Sequence, residues 1–133
     1  MTNAPALRAF LDTVYDEAFD VLVDLRDFVA SDLVDRGAEI PTDSTTLTVQ
    51  EVSRATRRMA DVMAWLLLQK AVHAGEVDHE AAATHAASRI APELFDPADP
   101  PPEALEKLPV ALRGLIDRSR RVHGKALQFK QRA

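Results

Sequence analysis

Hydrophobic residues recur at helical spacing along most of the chain, and they define a first long helix. Between residues 5 and 36 the apolar positions follow one another in alternating steps of four and three, the heptad pattern of a helix that packs against other helices. These positions are Leu7, Leu11, Val14, Ala18, Val21, Leu25 and Phe28. Pro5 suits the first turn of a helix, and Gly37 is expected to end it. We therefore predict a helix over residues 5–36.

The stretch from Thr48 to Gly75 predicts a second, central helix. Thr48 and Glu51 have the spacing of a capping box, in which two side chains satisfy free N–H groups at the start of a helix. Gly75 suits the end of the helix, because glycine adopts the left-handed conformation at little cost. We predict this helix over residues 48–74. Its apolar face is expected to comprise Val49, Val52, Met59, Val62, Met63, Leu66 and Leu67.

The second half of the central helix is apolar on every side. Trp65, Leu68 and Val72 fall on the side that charged residues such as Arg54 and Asp61 occupy in the first half. A helix that is apolar all round is buried all round, so this side must be covered. The cover can come from another segment of the same chain or from a second copy.

Three apolar residues of the first helix lie away from its heptad stripe. Tyr15, Phe19 and Val23 are spaced by four residues, so they form a second, smaller strip on the helix surface. Scattered apolar groups on a surface are normal, but a strip can also bind a partner. We predict that a dimer or partner surface is formed by Tyr15, Phe19, Val23, Trp65, Leu68 and Val72.

The segment after the central helix predicts a short helix and a rigid linker. The alanine-rich residues at about 79–89 indicate a helix that can lie over the Trp65 side. Residues 96–102 are rich in proline, which is typical of an extended spacer. Before the central helix, residues 38–47 have the composition of a loop.

Heptad spacing resumes near the end of the chain and predicts a third long helix over residues 108–129. Its apolar positions are Leu105, Leu108, Leu112, Leu115, Ser119, Val122, Ala126 and Phe129. Pro109 interrupts the backbone hydrogen bonds, so a short turn is expected before it. No segment shows the alternation of a strand. The predicted fold class is therefore all-α, an antiparallel three-helix bundle with an additional short helix, in one domain (1–133) that is expected to form a dimer.

Charge is distributed unevenly, although the net charge is only −5. Residues 1–39 carry nine acidic and three basic residues, whereas residues 103–133 carry three acidic and eight basic residues. The first and last helices are therefore expected to attract one another. The acidic total disfavours nucleic acid as a partner, since nucleic-acid-binding domains are normally basic. A DNA-associated regulator that uses the basic third helix is nevertheless an alternative function.

Arg54, Arg57 and Arg58 form a basic cluster on the central helix. Because these arginines lie three or four residues apart, they share a face and repel one another. Acidic neighbours can offset this repulsion in an internal network of ion pairs that includes the first helix. Alternatively, the cluster contacts an acidic partner, and we predict such a contact.

No arrangement of residues indicates catalysis, a cofactor or a metal. The four histidines lack the spacing of metal ligands, no glycine-rich phosphate loop is present, and the chain contains no cysteine. We therefore predict that the protein is not an enzyme. The sequence begins without the basic and apolar regions of a signal peptide, and no apolar run approaches the roughly 18 residues needed to span a bilayer. We expect a cytoplasmic protein without a membrane partner.

Two stretches resemble one family of alphaproteobacterial proteins. The first is Met-Ala-Asp-Val-Met-Ala-Trp-Leu-Leu-Leu-Gln-Lys-Ala-Val over residues 59–72, followed by Gly75 and Glu76. The second is Leu-Pro-Val-Ala-Leu-Arg-Gly-Leu-Ile-Asp-Arg-Ser over residues 108–119. Both are similar to the RcdA family, the regulators of degradation of the cell-cycle regulator CtrA.

The resemblance implies a three-helix bundle that forms a homodimer and acts as an adaptor without enzymatic activity. The implied partners are the ClpXP unfoldase–protease primed by a response-regulator adaptor, and substrate proteins or further adaptors destined for timed degradation. Members of the family can carry a longer, flexible C-terminal tail than the four residues that follow Phe129 here. If that tail contributes to delivery, this chain is expected to use another surface. A structural homodimeric module without a role in proteolysis is the alternative.

Overall fold

The structure, a computed structural model, describes residues 4–36, 40–88, 90 and 100–132. Over these ranges the chain is helical and contains no strand, which confirms the predicted all-α class for the described residues. The elements in chain order are α1 (Ala4–Phe28), a π-helical segment (Val29–Asp35), α2 (Thr42–His73), α3 (His79–Thr84), a 3-10 turn (Ala86–Ser88), α4 (Pro102–Leu105) and α5 (Val110–Arg132).

The heptad stripes of α1 and α5 face the hydrophobic core. In α1 every predicted stripe position from Leu11 to Phe28 is buried, and Leu7 is half-buried. In α5 the stripe from Leu112 to Ala126 is buried, while Phe129 is half-buried against the same core. The π-helical segment extends the first helix to Asp35. Gly37, which was predicted to end this helix, lies outside the described residues.

The central helix begins at Thr42, well before the predicted start at Thr48. The prediction of a loop over residues 38–47 is therefore wrong from residue 42 onward. Thr48 caps nothing, because it lies inside the helix and its hydroxyl donates to the Ser44 carbonyl at 2.7 Å. Ser44, Thr48 and Glu51 are all buried, so the first turns of α2 face the interior with polar side chains. Apolar periodicity does not predict such turns, because their buried residues are polar.

The contacts between α1 and α5 show that these two helices run in opposite directions. Arg118 Nη1 donates to Asp24 Oδ2 at 2.6 Å, and Lys125 Nζ donates to Glu17 Oε2 at 2.8 Å. Along the contact between the two helices, residue numbers decrease in α1 as they increase in α5. The predicted attraction between the acidic first helix and the basic last helix is confirmed by these two ion pairs. Both pairs are partly exposed, so each contributes about 0.2–1 kcal/mol.

The contacts between α2 and α5 show that these helices run in the same direction. Arg58 contacts Ser119, and further along both helices Trp65 contacts Phe129. The prediction of an antiparallel arrangement is therefore wrong for this pair. A short loop would force neighbouring helices to be antiparallel, but residues 74–109 provide enough chain to return to the start of α2. The 23 residues of α5 span about 35 Å, a distance that roughly 11 extended residues can cover.

The segment that follows α2 packs back onto it. α3 and the 3-10 turn both contact α2. Ala82 in α3 is buried, and Ile90 is part of the hydrophobic core. The short helix predicted at about 79–89 therefore covers α2 from within the same chain. Arg89 and residues 96–99 of the predicted linker lie outside the described residues.

α2 ends at the predicted glycine in a regular C-terminal motif. Gly75 has a φ of 74°, in the left-handed region. Its N–H donates to the Val72 carbonyl at 3.1 Å, and the Glu76 N–H donates to the Ala71 carbonyl at 2.9 Å. These two bonds form a Schellman motif, which satisfies carbonyl groups at the helix end.

Gly75→Ala is expected to lower the free energy of unfolding by about 1 kcal/mol, because a Cβ atom disfavours the left-handed backbone. Gly114→Ala is the matched control. Gly114 lies in α5 with open space where a Cβ would be added, so alanine is expected to raise the stability by up to about 1 kcal/mol. Urea denaturation followed by circular dichroism measures both changes. Equal effects at the two positions would contradict the assigned backbone conformation.

Candidate protein-interaction surfaces

Trp65 is covered by its own chain. Only 2% of its surface is exposed. The ring of Phe129 packs against it edge to face, with 5.5 Å between the ring centroids. The ring of Phe10 stacks on that of Phe129, also with 5.5 Å between the centroids. Trp65 thus belongs to an aromatic cluster that joins α1, α2 and α5.

The prediction that the Trp65 side of α2 joins two copies is therefore corrected for its buried members. Leu68 is also buried in the single chain, on the helix that α3 and the 3-10 turn contact, and Val72 is half-buried. A partner cannot reach Trp65 or Leu68 while this packing is intact. This side of α2 could be covered by a segment of the same chain or by a second copy. In the structure, a segment of the same chain covers it.

The predicted strip on α1 lies beside α2. Tyr15 and Val23 are half-buried, whereas Phe19 exposes 51% of its surface. Lys70 of α2 reaches across to α1, where its Nζ lies 2.8 Å from Asp12 Oδ1 and 5.2 Å from the centre of the Tyr15 ring. Because Phe19 and Val23 follow Tyr15 at one-turn intervals, the strip runs along the seam between α1 and α2.

α2 adds Leu67 to this seam. Leu67 was predicted to face the core, but it exposes 51% of its surface, and Val49 exposes 49%. Leu67 lies one turn before Lys70, and the half-buried Met63 lies one turn before Leu67. We call the surface formed by Tyr15, Phe19, Val23, Met63 and Leu67 the α1–α2 strip. The position of Leu67 at the edge of the predicted apolar face was the signal for its exposure.

The arginine cluster of α2 divides into internal and outward-facing members. Arg58 Nη1 donates to Ser119 Oγ at 2.8 Å, and the buried Ser119 hydroxyl donates to the Ile116 carbonyl at 2.7 Å. Arg58 thereby ties α2 to α5. Arg57 is exposed and faces away from these contacts.

Arg54 neutralises a buried carboxylate. Its Nη1 lies 3.1 Å from Oε2 of Glu51, whose side chain is 3% exposed. The contact is an ion pair without the alignment of a hydrogen bond. An unpaired carboxylate at this depth would be costly, so Arg54 has a structural role. Of the three arginines predicted to contact an acidic partner, Arg57 is the one that faces outward without such a role.

The described residues do not bring metal ligands together. No group of three or more histidine, cysteine, aspartate or glutamate side chains within these residues could hold a metal ion. His123 is buried in α5, whereas His73, His79 and His85 are exposed on separate parts of the chain. Among the helices that the structure describes, none is both long and apolar enough to cross a membrane.

A cleft lies at the end of the molecule where α2 and α5 begin. It has a volume of about 300 Å³ and is lined by Asp32, Arg36, Ile40, Pro41, Lys107, Leu108, Pro109 and Val110. These residues come from the end of the first helix, from the segments that precede α2 and α5, and from the first residue of α5. Nothing in the sequence pattern predicts this cleft, because its walls come together only through the parallel orientation of α2 and α5.

These features define an all-helical protein whose surface offers an apolar strip, an outward-facing arginine and an end cleft. The chain belongs to the family described as "Protein of unknown function (DUF1465)", whose model matches residues 4–133. No curated protein and no solved structure matches the chain.

Proposed function

We propose that the protein is a non-enzymatic, homodimeric adaptor of regulated proteolysis in the cytoplasm. In this role it tethers substrate proteins or further adaptors to a ClpXP-type unfoldase–protease that carries a response-regulator adaptor. The exposed α1–α2 strip is the observation that carries the protein-binding part of the proposal. The resemblance of residues 59–72 and 108–119 to the RcdA family supports the assignment to proteolysis.

The α1–α2 strip fits a second copy of the chain. Phe19 and Leu67 are large apolar residues, each about half exposed, on two neighbouring helices. A homodimer formed through this strip would place the same helices of both copies together, as a two-fold interface requires. It would also leave Arg57, on another face of α2, accessible to an acidic partner.

An adaptor needs no catalytic group, because it acts by raising the effective concentration of its cargo near the protease. Several modest contacts suffice when they are linked in one dimer. Two copies of Arg57 and two end clefts would provide such linked contacts.

Affinity capture with the full chain from native cytoplasm tests this proposal. The wild-type protein is expected to recover the unfoldase or its response-regulator adaptor. Arg57→Glu is expected to recover several-fold less, because charge reversal removes an attraction and adds a repulsion. Arg121→Glu is the matched control, since Arg121 is an exposed arginine on α5, and its capture is expected to equal that of the wild type.

Recovery of neither component by the wild-type chain would contradict the proteolytic role and favour a structural dimeric module. Equal recovery by Arg57→Glu would contradict the role of Arg57 alone. A salt-dependent gel shift tests the alternative of a DNA-associated regulator. That alternative is disfavoured because Arg118 and Lys125 of α5 are paired with acidic residues of α1.

A further inference from the structure

We infer that the π-helical segment at the end of the first helix is a conformational device that adjusts the register of the helix, meaning which of its residues face the core. It takes up one residue more than an α-helical turn, and it thereby places Leu33 instead of Asp32 against the hydrophobic core. The inference stands on the packing of this segment and does not depend on the proteolytic role proposed above.

The heptad pattern of α1, continued without a change, would place charged residues against the core. Its buried positions run from Leu11 to Phe28 in alternating steps of three and four residues. The next two positions in these steps are Asp32 and Asp35. A continuous α-helix, which turns by about 100° per residue, would therefore point two carboxylates at the core. Burying a carboxylate without a partner is costly, so this register is disfavoured.

In the structure the segment Val29–Asp35 is π-helical instead. A π-helix bonds each N–H to the carbonyl five residues earlier instead of four, so its turn contains about one residue more. The residue after Asp32 then lies on the core side. Leu33 is half-buried and packs against the core, whereas Asp35 is exposed. Asp32 keeps 28% of its side chain exposed and lies in the wall of the end cleft.

Ser31 supports the change of register. Its hydroxyl donates to the Asp27 carbonyl at 2.8 Å, four residues earlier in the chain. Side-chain hydrogen bonds of this kind compete with the backbone hydrogen bonds of a helix and often bend it. The same hydroxyl oxygen lies 3.1 Å from Asp32 Oδ1. The serine therefore also gives that carboxylate a polar neighbour at the edge of the core.

The extra residue in this segment decides several contacts at once. In the π-helical register the core receives Leu33, and Asp32 and Arg36 become wall residues of the end cleft. Val34 is turned outward and exposes 74% of its surface. A change to the α-helical register would rotate residues 32–35 by about 100°, which would withdraw the leucine from the core and Asp32 from the cleft wall. Through this segment the packing of the core thus determines the wall of the cleft.

The first test removes one exposed residue from the first helix of the full chain, within the π-helical segment. Deletion of Ala30 is expected to give a continuous α-helix in which Leu33 takes the heptad position of Asp32. The urea midpoint, followed by circular dichroism, is expected to stay within about 0.5 M of the wild-type value, because the apolar core residues keep their places.

Deletion of Asp16 is the matched control, since this residue is exposed within the regular part of α1. One side of the apolar stripe would turn by about 100° away from the core. The midpoint is therefore expected to fall by more than about 1 M. A deletion of Ala30 that lowers the midpoint as far as the deletion of Asp16 would overturn the inference.

NMR couplings across backbone hydrogen bonds report the register directly. In the wild-type chain the N–H groups at the end of the segment are expected to couple to carbonyls five residues earlier. After deletion of Ala30 they are expected to couple to carbonyls four residues earlier. Four-residue couplings throughout the wild-type segment would contradict the register adjustment.

Two substitutions test the register without changing the length of the chain. Leu33→Ala is expected to lower the urea midpoint by about 0.5–1 M, because it removes contacts with the core. Val34→Ala is expected to lower it by less than about 0.2 M, because this valine faces solvent. Equal losses at the two positions would show that the core is not closed by Leu33 and would overturn the inference.

Discussion

Leu66→Ala is expected to lower the free energy of unfolding by about 2–5 kcal/mol, whereas Leu67→Ala is expected to change it by less than about 1 kcal/mol. The two leucines are neighbours in the sequence and receive the same substitution. Leu66 is fully buried in the core between the long helices, and its truncation would leave a cavity. Leu67 is half exposed, so water or a partner can occupy the space that its side chain leaves.

Urea denaturation followed by circular dichroism at low protein concentration measures this difference. The dilution matters because a dimer through Leu67 would link the stability of the chain to its concentration. Trp65 serves as an internal fluorescence probe, since it is the single tryptophan and is retained in both variants. Similar losses for the two substitutions would show that Leu67 faces the core, as the apolar periodicity of the central helix predicts.

Phe19→Glu is expected to convert a dimer into a monomer without unfolding the chain. Phe19 is half exposed in the single chain, so a glutamate there stays in water when the protein is monomeric. In a dimer through the α1–α2 strip the same carboxylate would be buried without a partner. The penalty for such burial is several kcal/mol, which corresponds to a dissociation constant at least about a hundredfold higher.

Light scattering coupled to size-exclusion chromatography measures the change in mass. Val110→Glu is the control, because it introduces the same charge at an exposed valine outside the strip. That variant is expected to remain dimeric. A monomeric wild-type protein would contradict the homodimer, and a dimeric Phe19→Glu variant would place its interface on another face.

Leu68→Glu would not show whether two copies associate through the Trp65 side of α2. Leu68 is buried within one chain, so the glutamate would destabilise the fold whether or not two copies associate. The same consideration applies to Trp65. Phe19 and Leu67 are the positions at which a charge tests association separately from folding.

The apolar periodicity of the sequence was sufficient to predict the buried face of two of the three long helices. Most heptad positions of α1 and α5 are buried, because the apolar stripe of each helix faces the core. Gly75 ends α2 in the left-handed conformation, which depends on the residue type and on neighbouring backbone groups. The attraction between α1 and α5 also followed from local charge, since their acidic and basic residues lie on facing helices.

Tertiary structure decided the rest, because those features depend on which segments become neighbours. The start of α2 was missed since Ser44, Thr48 and Glu51 are polar residues that face the interior, where Arg54 neutralises the glutamate. Periodicity showed that Trp65 must be covered, but only the packing identified Phe129 as the group that covers it.

The direction in which α5 runs relative to α2 was also decided by the tertiary structure. Heptads specify which face of a helix is buried and do not specify the direction in which the helix runs. The long connection between α2 and α5 permits a parallel pair, and this arrangement brings the starts of both helices together at the end cleft. The sequence by itself thus determined the helical class and most buried positions of α1 and α5. The partners of those positions, and the surfaces left open for other molecules, were decided by the packing of helices that are distant in sequence.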